Sequence, residues 1–485
     1  MSNCIVAPDT RTFERFQFTF PEQIESEHFI VHFTTSNADS QFVNEQWLNL
    51  QCNFGYAQSV IELAEYALAI FMEADWEMMP PDCDEGITDE ESPNHCNNFG
   101  GNALYDIYLA NDAVGLVAPE NPYPVEPYIG GFTSFMQVTP LGNDHTFVPD
   151  WSVHVIAHEL HHAIQIRYGT SVSGEPGNYA YNGWLYEQTS TYMENVIFPA
   201  SYHFLVMMGN CNITSPLTYP EISIDSSVDI YQYRSALWQK FLVEAYGDST
   251  INRLIWEGFG LETATGNPVN MFPIYESALQ TVTDGVTTLG DAYQDYALWR
   301  YFTGSRSRPG EFFMQAASYC TANLLAIEET STTFPSEKGG ARLVKLLPYE
   351  TNLVLASSAY DNLLVQHISF SEEDEILMSS IEVNGEESFF QLYNPAGDNH
   401  ALLITSEYTA EPSQEIEFTL ANTVPFMEGD ITGDSMVNIL DIIVQINIIL
   451  HQIDPTDYQW LAADLDENNV VDVLDVILLV NLILG

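Results

Sequence analysis

The C-terminal part of the chain contains an internal repeat, which limits the possible folds more strongly than any other feature of this sequence. Residues 430–441 and 464–475 align with one another, and each segment is followed by an apolar stretch typical of a helix. Both place oxygen-bearing groups at positions 1, 3, 5, 9 and 12 of a twelve-residue loop. A duplicated loop–helix unit predicts one small helical module built from two similar halves.

The spacing of the oxygens in these two loops is that of a calcium-binding loop. Calcium takes about six to eight hard oxygen ligands on a flexible loop, and position 7 supplies a backbone carbonyl. Two acidic turns without an ion are the alternative, but the duplication favours two structural calcium ions. The predicted ligands are Asp430, Thr432, Asp434, Met436, Asn438 and Asp441 in the first loop, and Asp464, Asp466, Asn468, Val470, Asp472 and Asp475 in the second.

The charge balance excludes some classes of partner. The chain has 485 residues, which predicts two to four domains, and it carries 12 Lys plus Arg against 68 Asp plus Glu, a net charge of −56. Such a protein repels nucleic acid and anionic membrane surfaces, and it attracts cations and basic peptides. A solvated acidic surface suited to a salty or extracellular medium explains the charge as well. No uninterrupted apolar run is long enough for membrane insertion.

The cysteines leave two interpretations open. Six cysteines without metal-type spacing indicate either three disulfides in an exported protein or buried free thiols. Cys83 and Cys96 flank a short acidic loop and are the favoured bridge. The acidic residues of 82–91 either hold calcium or form a solvated loop. The N-terminus has no recognisable signal peptide, so we expect that it has been removed or that the protein is not exported.

Hydrophobic patterns place the secondary structure coarsely. Residues 1–25 are predicted to be irregular. Strands are predicted at 28–33, 103–109 and 131–138, and an amphipathic helix at 55–75. Further helices are predicted from Asp150 or Ser152 to Tyr168, over 184–196 and over 234–246, with more helix to about residue 320. Short alternating segments in 341–422 predict an all-β sandwich domain.

The segment from His158 to His162 has the pattern His-Glu-x-x-His. On a helix, His158 and His162 lie one turn apart on the same face. Two neutral imidazoles at this spacing can hold one zinc ion, and Glu159 can take a proton from a water activated there. His154 and His161 are expected to pack or to make outer contacts.

A catalytic zinc site needs a third protein ligand, and the segment 183–194 offers two glutamates. Glu187 is the preferred ligand because it follows Trp184 at the start of the predicted helix. Glu194 shares its helix face, at a spacing of seven residues, and is the alternative.

These motifs resemble those of the gluzincin metallopeptidases, and more closely those of a family of secreted bacterial metalloproteases. The likeness covers roughly residues 25–350. The segments that carry it are His158-Glu-Leu-His-His162 with Gln165, Trp184-Leu-Tyr-Glu187, Thr191-Tyr-Met-Glu194, Tyr233-Arg-Ser-Ala-Leu-Trp238 and Phe302-Thr-Gly-Ser-Arg306. Three residues depart from the family pattern, namely Gln188, Ser190 and Arg234.

The resemblance implies a mechanism and a set of roles. One catalytic zinc ion on His158, His162 and Glu187 would activate a water, with Glu159 as the general base. Tyr233 would donate a hydrogen bond to the oxyanion, although a core tyrosine is the alternative. A strand before the metal helix would bind an extended protein or peptide substrate along its edge.

The C-terminal repeat resembles a type I-like dockerin module over about residues 428–485. The resemblance implies a cohesin-bearing scaffold or surface protein as partner, and work outside the cell. Ile439-Leu440 and Val473-Leu474 occupy the places that usually select the cohesin. Thr432 at position 3, with Ser435 and Asn469 at position 6, departs from the usual residues and predicts weaker calcium binding in the first loop.

Together these features predict a multi-domain protein. Residues 1–340 are expected to form an α+β zincin-like metallopeptidase domain, 341–424 a β-sandwich and 425–485 a dockerin. The predicted function is that of a secreted zinc-dependent hydrolase, attached to a scaffold or cell surface. The alternative is a catalytically inactive, peptidase-like binding protein brought there by its dockerin. The sequence leaves open the cleavage preference, endo- or exo-cleavage, the disulfide pairing and the role of the β-domain.

Overall fold

The computed structural model describes most of the chain. The described residues are 15–43, 46–83, 95–96, 101–110, 115–123, 125–141, 145–169, 178–199, 202–263, 269–326, 332–337, 339–346, 352–357, 363–370, 376–383, 385, 387–391, 399–406, 415–422, 427–434, 436–453, 455, 457–466, 468 and 470–485.

Up to Val138, one described helix separates two groups of strands. Helices follow from Val153 to Tyr301, strands dominate from Leu325 to Asn422, and helices close the chain. The strands are β1 (Glu22–Glu25), β2 (Phe29–Phe33), β3 (Ser40–Val43), β4 (Gln46–Asn49), β5 (Tyr105–Leu109), β6 (Gly115–Pro122), β7 (Phe132–Val138), β8 (Leu325–Ala326), β9 (Thr332–Glu337), β10 (Ala341–Lys345), β11 (Asn352–Ala356), β12 (Leu363–Phe370), β13 (Leu377–Ile381), β14 (Glu387–Gln391), β15 (Asn399–Ser406) and β16 (Glu415–Asn422). The helices are α1 (Phe54–Glu73), α2 (Val153–Tyr168), α3 (Asn178–Ile197), α4 (Tyr202–Gly209), α5 (Tyr231–Arg234), α6 (Ala236–Tyr246), α7 (Ile251–Thr263), α8 (Met271–Val282), α9 (Leu289–Tyr301), α10 (Ile439–Ile449), α11 (Asp457–Ala463) and α12 (Val473–Leu484).

The chain divides into two compact units. The first comprises residues 1–218, 224–292 and 302–321, and the second comprises 219–223, 293–301 and 322–485. The protein is therefore multi-domain and combines sheets with helices. Among the described helices, none is both long enough and apolar enough to cross a membrane.

A mixed five-stranded sheet organises the first unit, in the order β1-β2-β5-β7-β6. The three central strands are parallel to one another, and β6 lies antiparallel to β7 at the edge. Helix α2 packs on β6 and β7, and both α1 and α3 pack on α2. The strands predicted at 28–33, 103–109 and 131–138 are confirmed as β2, β5 and β7. The prediction that residues 1–25 are irregular is wrong for its last four residues, which form β1 through pairing with β2. The helix predicted over 55–75 is confirmed as α1.

The other face of this sheet is covered by the chain segment that precedes β1. Phe16 and Phe18 pack on a core cluster that includes Leu116 and Phe135. Arg15 forms ion pairs with three carboxylates, those of Asp82, Asp106 and Glu120. Asp82 was one candidate in the predicted calcium loop, but it binds a guanidinium here. Residues 84–91 of that loop lie outside the described residues.

Two disulfides join described cysteines of the first unit. The favoured Cys83–Cys96 bridge is confirmed, and a second bridge joins Cys211 to Cys320. Cys52 is a free thiol buried in the core. Of the two interpretations, three disulfides or buried thiols, the described cysteines combine parts of both.

The helix predicted over 234–246 begins differently. Tyr231–Arg234 forms the separate short helix α5, and Ala236 starts α6, because Ser235 leaves the helical region with φ −71° and ψ 1°. The helix predicted over 184–196 is longer at its N-terminus, as α3.

Two facing sheets form the β-domain in the second unit. Their strand orders are β13-β12-β15-β10-β8 and β14-β11-β16-β9. Leu355 of β11 packs against Val344, Val365 and Ile404 of the opposite sheet. Strands β8 and β9 precede residue 341, so the sandwich begins before the predicted boundary. These two strands join the sandwich by pairing with strands from later in the chain, and a local hydrophobic pattern does not predict such pairing.

The C-terminal module has its own small core. Ile431, Ile448, Ala462 and Leu479 are buried together, and Gln445 Nε2 donates to Ala463 O at 2.7 Å. Both α10 and α12 begin with capping boxes, from Asn438 with Asp441 and from Asp472 with Asp475. The predicted pair of similar loop–helix halves is therefore present.

Candidate functional site

Helix α2 carries both histidines of the His-Glu-x-x-His pattern on its buried side. The helix begins after Ser152 and ends at Gly169, whose φ of +144° suits glycine. His158 and His162 are 2 % and 0 % exposed, because α2 lies between the sheet and α3. Glu187, on the facing side of α3, is also buried.

Three side-chain atoms from these two helices converge. Nε2 of His158 lies 3.1 Å from Nε2 of His162. Oε2 of Glu187 lies 3.0 Å from the first nitrogen and 3.4 Å from the second. Glu187, the preferred third ligand, therefore faces both imidazoles, as a metal ligand at this position must.

The hydrogen-bond partner of His158 on its other nitrogen fixes its tautomer. Nδ1 of His158 lies 2.7 Å from Oε1 of Glu194, and a carboxylate only accepts hydrogen bonds. Nδ1 therefore carries the proton, and Nε2 of the neutral ring presents a lone pair toward Glu187. Glu194, the alternative ligand, contacts the back of His158.

Gln165 gives His162 the same tautomer. Its Nε2 donates to the backbone oxygen of Tyr186 at 3.1 Å, so its Oε1 faces Nδ1 of His162 at 2.7 Å. Since an amide oxygen accepts, His162 carries its proton on Nδ1 and presents a lone pair at Nε2. Gln165 thus orients the second imidazole just as Glu194 orients the first.

This arrangement places three acceptors face to face in a buried position. Two imidazole lone pairs and a carboxylate oxygen repel one another unless a cation lies between them. Tetrahedral zinc with bonds of about 2.0–2.1 Å spaces its ligand atoms about 3.3 Å apart. The chemistry and spacing of the three ligand atoms therefore fit zinc.

Glu159 follows His158 on α2, and its side chain lies against the edge strand. It is fully buried, and Gly115, the first residue of β6, packs directly on its carboxylate. A Cβ at Gly115 would lie 2.5 Å from Cγ of Glu159, so only glycine leaves room for this side chain. The absence of a side chain at Gly115 brings the backbone of β6 next to the carboxylate.

A second group of histidines surrounds Glu194. Oε2 of Glu194 accepts from Nδ1 of His203 at 2.6 Å, and His203 stacks on His154 with ring centroids 4.1 Å apart and planes at 16°. Burial would raise the pKa of Glu194, but His203, His154 and His158 hold it well below its usual range. These three residues could ligate a metal, but a metal lies in the plane of each imidazole it binds. Nearly parallel rings share no such position, so we interpret the group as outer support for His158.

His154 and His161 are placed as expected, away from the three convergent atoms. His161 packs edge-on against Trp76 with centroids 4.7 Å apart and accepts from Gln165 Nε2. Burial lowers its pKa well below the ordinary value. Burial likewise lowers the pKa of His154 to about 4.

Tyr233 lies beside the first imidazole. Its ring is 6.0 Å from that of His158, with the planes at 25°. The turn before it holds Asp229 and Ile230 in the left-handed region, at φ 47° and φ 57°. That conformation costs about 1–2 kcal/mol per non-glycine residue, so surrounding contacts must maintain it.

The departures from the family pattern have structural explanations. Gln188 points away from the site and donates to Ser235 Oγ at 2.8 Å, which joins α3 to the segment before α6. Ser190 Oγ lies 3.1 Å from the Nδ1 atoms of both His161 and His162. Arg234 is buried and binds the turn that carries Tyr233. None of these three departures replaces one of the proposed metal ligands.

Both predicted calcium loops form compact acidic turns. In the first loop, the buried carboxylate of Asp441 accepts from the amides of Thr432 and Asn438, and Asp430 is also fully buried. In the second, Asp475 accepts from the amides of Leu465 and Asp472. Asp464, Asp466 and Asp475 bring ligand atoms within 4.8 Å of one another. Buried carboxylates gathered in this way favour a bound cation.

The apolar pairs expected to select a partner are on the surface. Ile439 and Leu440 are 67 % and 52 % exposed, and Val473 and Leu474 are 63 % and 57 % exposed. Exposed apolar patches of this kind mark interaction surfaces.

Several contributors to the site were not predicted. His203 lies on α4, and Gly115 lies on the edge strand β6, neither of which the sequence pattern revealed. The role of Gln165 could have been found from its position three residues after His162, which returns to the same helix face.

Two family comparisons match parts of the chain. Residues 147–275, which include α2, α3 and Tyr233, match a family of unknown function (DUF6055). Residues 428–484 match the dockerin type I domain. No curated protein matches the chain. The C-terminal module is thus supported as a dockerin, a domain that binds calcium and occurs in secreted or cell-surface proteins. It implies a cohesin-bearing partner.

Proposed function

We propose that the first unit is a zinc-dependent metallopeptidase of gluzincin type with a zincin-like fold, and that the dockerin attaches it to a cohesin-bearing scaffold or surface outside the cell. The observation that carries this proposal is the convergence of three acceptor atoms from His158, His162 and Glu187, with both imidazole protons committed to other partners. The family match over residues 147–275 has no assigned activity and neither adds to the proposal nor opposes it.

These residues would hold one zinc ion through Nε2 of each histidine and a carboxylate oxygen. Zinc held there supplies a Lewis acid that polarises a carbonyl and lowers the pKa of water. Glu194 and Gln165 keep the two imidazoles in the tautomer that binds a metal, which is the usual role of outer hydrogen bonds in such sites.

Glu159 is the general base in this proposal. It is the only glutamate of α2, and it follows a proposed ligand directly in the chain. It takes a proton from the attacking water and later delivers it to the leaving amine, so that one carboxylate serves both steps. Its burial against Gly115 limits its rotation, and this favours a fixed orientation toward the reacting atoms.

Tyr233 and strand β6 complete the proposed site. The hydroxyl of Tyr233 donates to the carbonyl oxygen as negative charge develops on it. Strand β6 is the described edge of its sheet and begins beside Glu159, so its free backbone groups can pair with an extended peptide. This pairing supports a peptide as the substrate class.

The dockerin gives the proposed enzyme its location. Its partner attaches the active unit to a surface. The net charge of −56 keeps the attached protein hydrated and repels it from anionic surfaces. Two disulfides in the first unit agree with an oxidising compartment.

Casein hydrolysis by the full-length protein tests the proposal. A zinc-selective chelator such as 1,10-phenanthroline should abolish hydrolysis in a buffer that keeps calcium saturating, and added zinc should restore it. Zinc-free protein without activity, or activity indifferent to the chelator, would contradict the proposal. The first of these results would favour the catalytically inactive binding protein.

A further inference from the structure

One buried arginine determines the shape of the turn that carries Tyr233. Arg234 is 3 % exposed, and its Nη1 donates to Thr214 O at 2.7 Å and to Asp229 O at 3.0 Å. Asp229 is the first of the two left-handed residues in this turn. By donating to the carbonyl of Asp229, Arg234 thus stabilises a backbone conformation that a non-glycine residue avoids.

Further contacts fix the other side of the turn. Thr214 Oγ1 donates to Oδ2 of Asp229 at 2.9 Å, and Nη1 of Arg234 lies 3.4 Å from the same oxygen. These hydrogen bonds, first that of Thr214, lower the pKa of Asp229. Thr214 follows Cys211, which is bridged to Cys320, so the backbone acceptor of Arg234 lies in an anchored segment.

We propose that Arg234 is a positioning residue that acts through Tyr233. Its side chain hydrogen bonds to Asp229 within the turn of residues 228–234 and to Thr214 outside it. These two contacts hold the Tyr233 ring beside His158. The inference rests on the proposed function, because it assigns Arg234 a role in the reaction only through the donor hydroxyl of Tyr233. All three hydrogen bonds of its Nη1 go to Thr214 and Asp229, which leaves it no contact with the three convergent atoms among those described.

Acetohydroxamate is a suitable probe because it binds zinc without turnover and presents a carbonyl oxygen to a neighbouring donor. Its affinity for the zinc-loaded, full-length protein is measured by calorimetry for wild type, Tyr233→Phe, Arg234→Ala and the double variant. We expect each single variant to bind about tenfold more weakly, the order expected for one lost hydrogen bond. The double variant should also lose about tenfold, because both changes remove the same interaction.

Matched variants separate this role from general stabilisation. Arg253→Ala removes an arginine that pairs with Glu257 on α7, and it should leave hydroxamate affinity unchanged. Arg234→Lys keeps a cation that reaches one carbonyl, so its affinity should lie between those of Arg234→Ala and wild type. This milder variant also keeps the test decisive if Arg234→Ala fails to fold.

Amide hydrogen exchange adds a readout that needs no zinc. In metal-free protein, Arg234→Lys and Arg234→Ala should accelerate exchange of residues 228–235, whereas Arg253→Ala should not. Wild-type protein that binds neither zinc nor hydroxamate would contradict the proposed function. If wild-type protein binds both zinc and hydroxamate, two results would overturn the role of Arg234 while leaving the proposed function in place. One is a hydroxamate affinity that Arg234→Ala leaves intact, and the other is a hydroxamate affinity that falls about a hundredfold in the double variant.

Discussion

The Nε2 atoms of His158 and His162 face one another at 3.1 Å, although the Nδ1 atom of each ring holds its proton against a different acceptor. Two neutral imidazoles cannot hydrogen bond to each other in this state, because both present lone pairs. The close approach of Glu187 adds a third acceptor. A cation at their meeting point would remove this repulsion, and the three side chains could hold one.

Substitution of the two glutamates of α3 distinguishes ligand from support. Glu187→Gln should lower zinc affinity more than Glu194→Gln, because the former changes a proposed ligand atom and the latter an outer hydrogen bond. We expect a loss of about 10–100-fold for Glu194→Gln and a larger one for Glu187→Gln. Competition with a fluorescent zinc chelator measures both constants. A greater loss for Glu194→Gln would make Glu194 the ligand.

Gln165 should influence zinc affinity through the tautomer of His162. In Gln165→Leu, Nδ1 of His162 loses its amide acceptor, and Nε2 can then carry the proton. A protonated Nε2 has no lone pair with which to bind a metal. Zinc affinity should fall by about 10–100-fold. Gln165→Glu retains an acceptor at the same place and should retain more of the affinity. Equal affinity for Gln165→Leu and wild type would show that Ser190 alone orients His162.

The sequence carried the elements whose signal is local. The His158–His162 spacing is a property of one helix, and the apolar pattern of 153–168 defined that helix with its end at Gly169. The position of Glu187 after Trp184 favours it over Glu194 as the ligand, and Glu187 faces the imidazoles. The calcium loops were legible because the pattern occurs twice.

Features that depend on the meeting of distant segments were not legible. The pairing of Arg15 with Asp82 and Glu120, and the contact of Gly115 with Glu159, join residues far apart in the chain. The left-handed turn at Asp229 and Ile230 contradicts local propensity, and Thr214 and Arg234 hydrogen bond to it from other parts of the chain. Such features follow from tertiary packing.

The buried His154 should make the stability of the protein depend on pH. Burial lowers its pKa to about 4, against about 6.5 in the unfolded chain, and it faces His203, Glu194 and His158. Between these values the unfolded chain binds more protons than the folded one, so stability falls as the pH drops below 6.5. At pH 5.5 the cost is about 1 kcal/mol.

Urea unfolding of wild type and His154→Gln at pH 7.5 and pH 5.5 measures this contribution. The difference in unfolding free energy between the two proteins should shift by about 1 kcal/mol in favour of the variant at the lower pH. A difference that does not change with pH would mean that the pKa of His154 is the same in the folded and the unfolded protein.

Calcium removal should unfold the dockerin and leave the first unit folded. Asp430 and Asp441 are buried carboxylates that repel one another without a cation. A calcium-selective chelator should abolish cohesin binding and accelerate amide exchange over residues 428–485. Asp441→Asn and Asp475→Asn should each weaken calcium binding in their own loop. Exchange indifferent to the chelator would contradict structural calcium.

The central claim, a zinc peptidase site on α2 and α3, is tested most directly by zinc content and casein hydrolysis measured together on Glu159→Gln. The variant removes the proposed base and no ligand. We predict one zinc per chain, as in wild type, with hydrolysis reduced by about a hundredfold or more. Glu62→Gln, an exposed change on α1, serves as the control and should behave as wild type. Full hydrolysis by Glu159→Gln, or wild-type protein that takes up no zinc, would contradict the account.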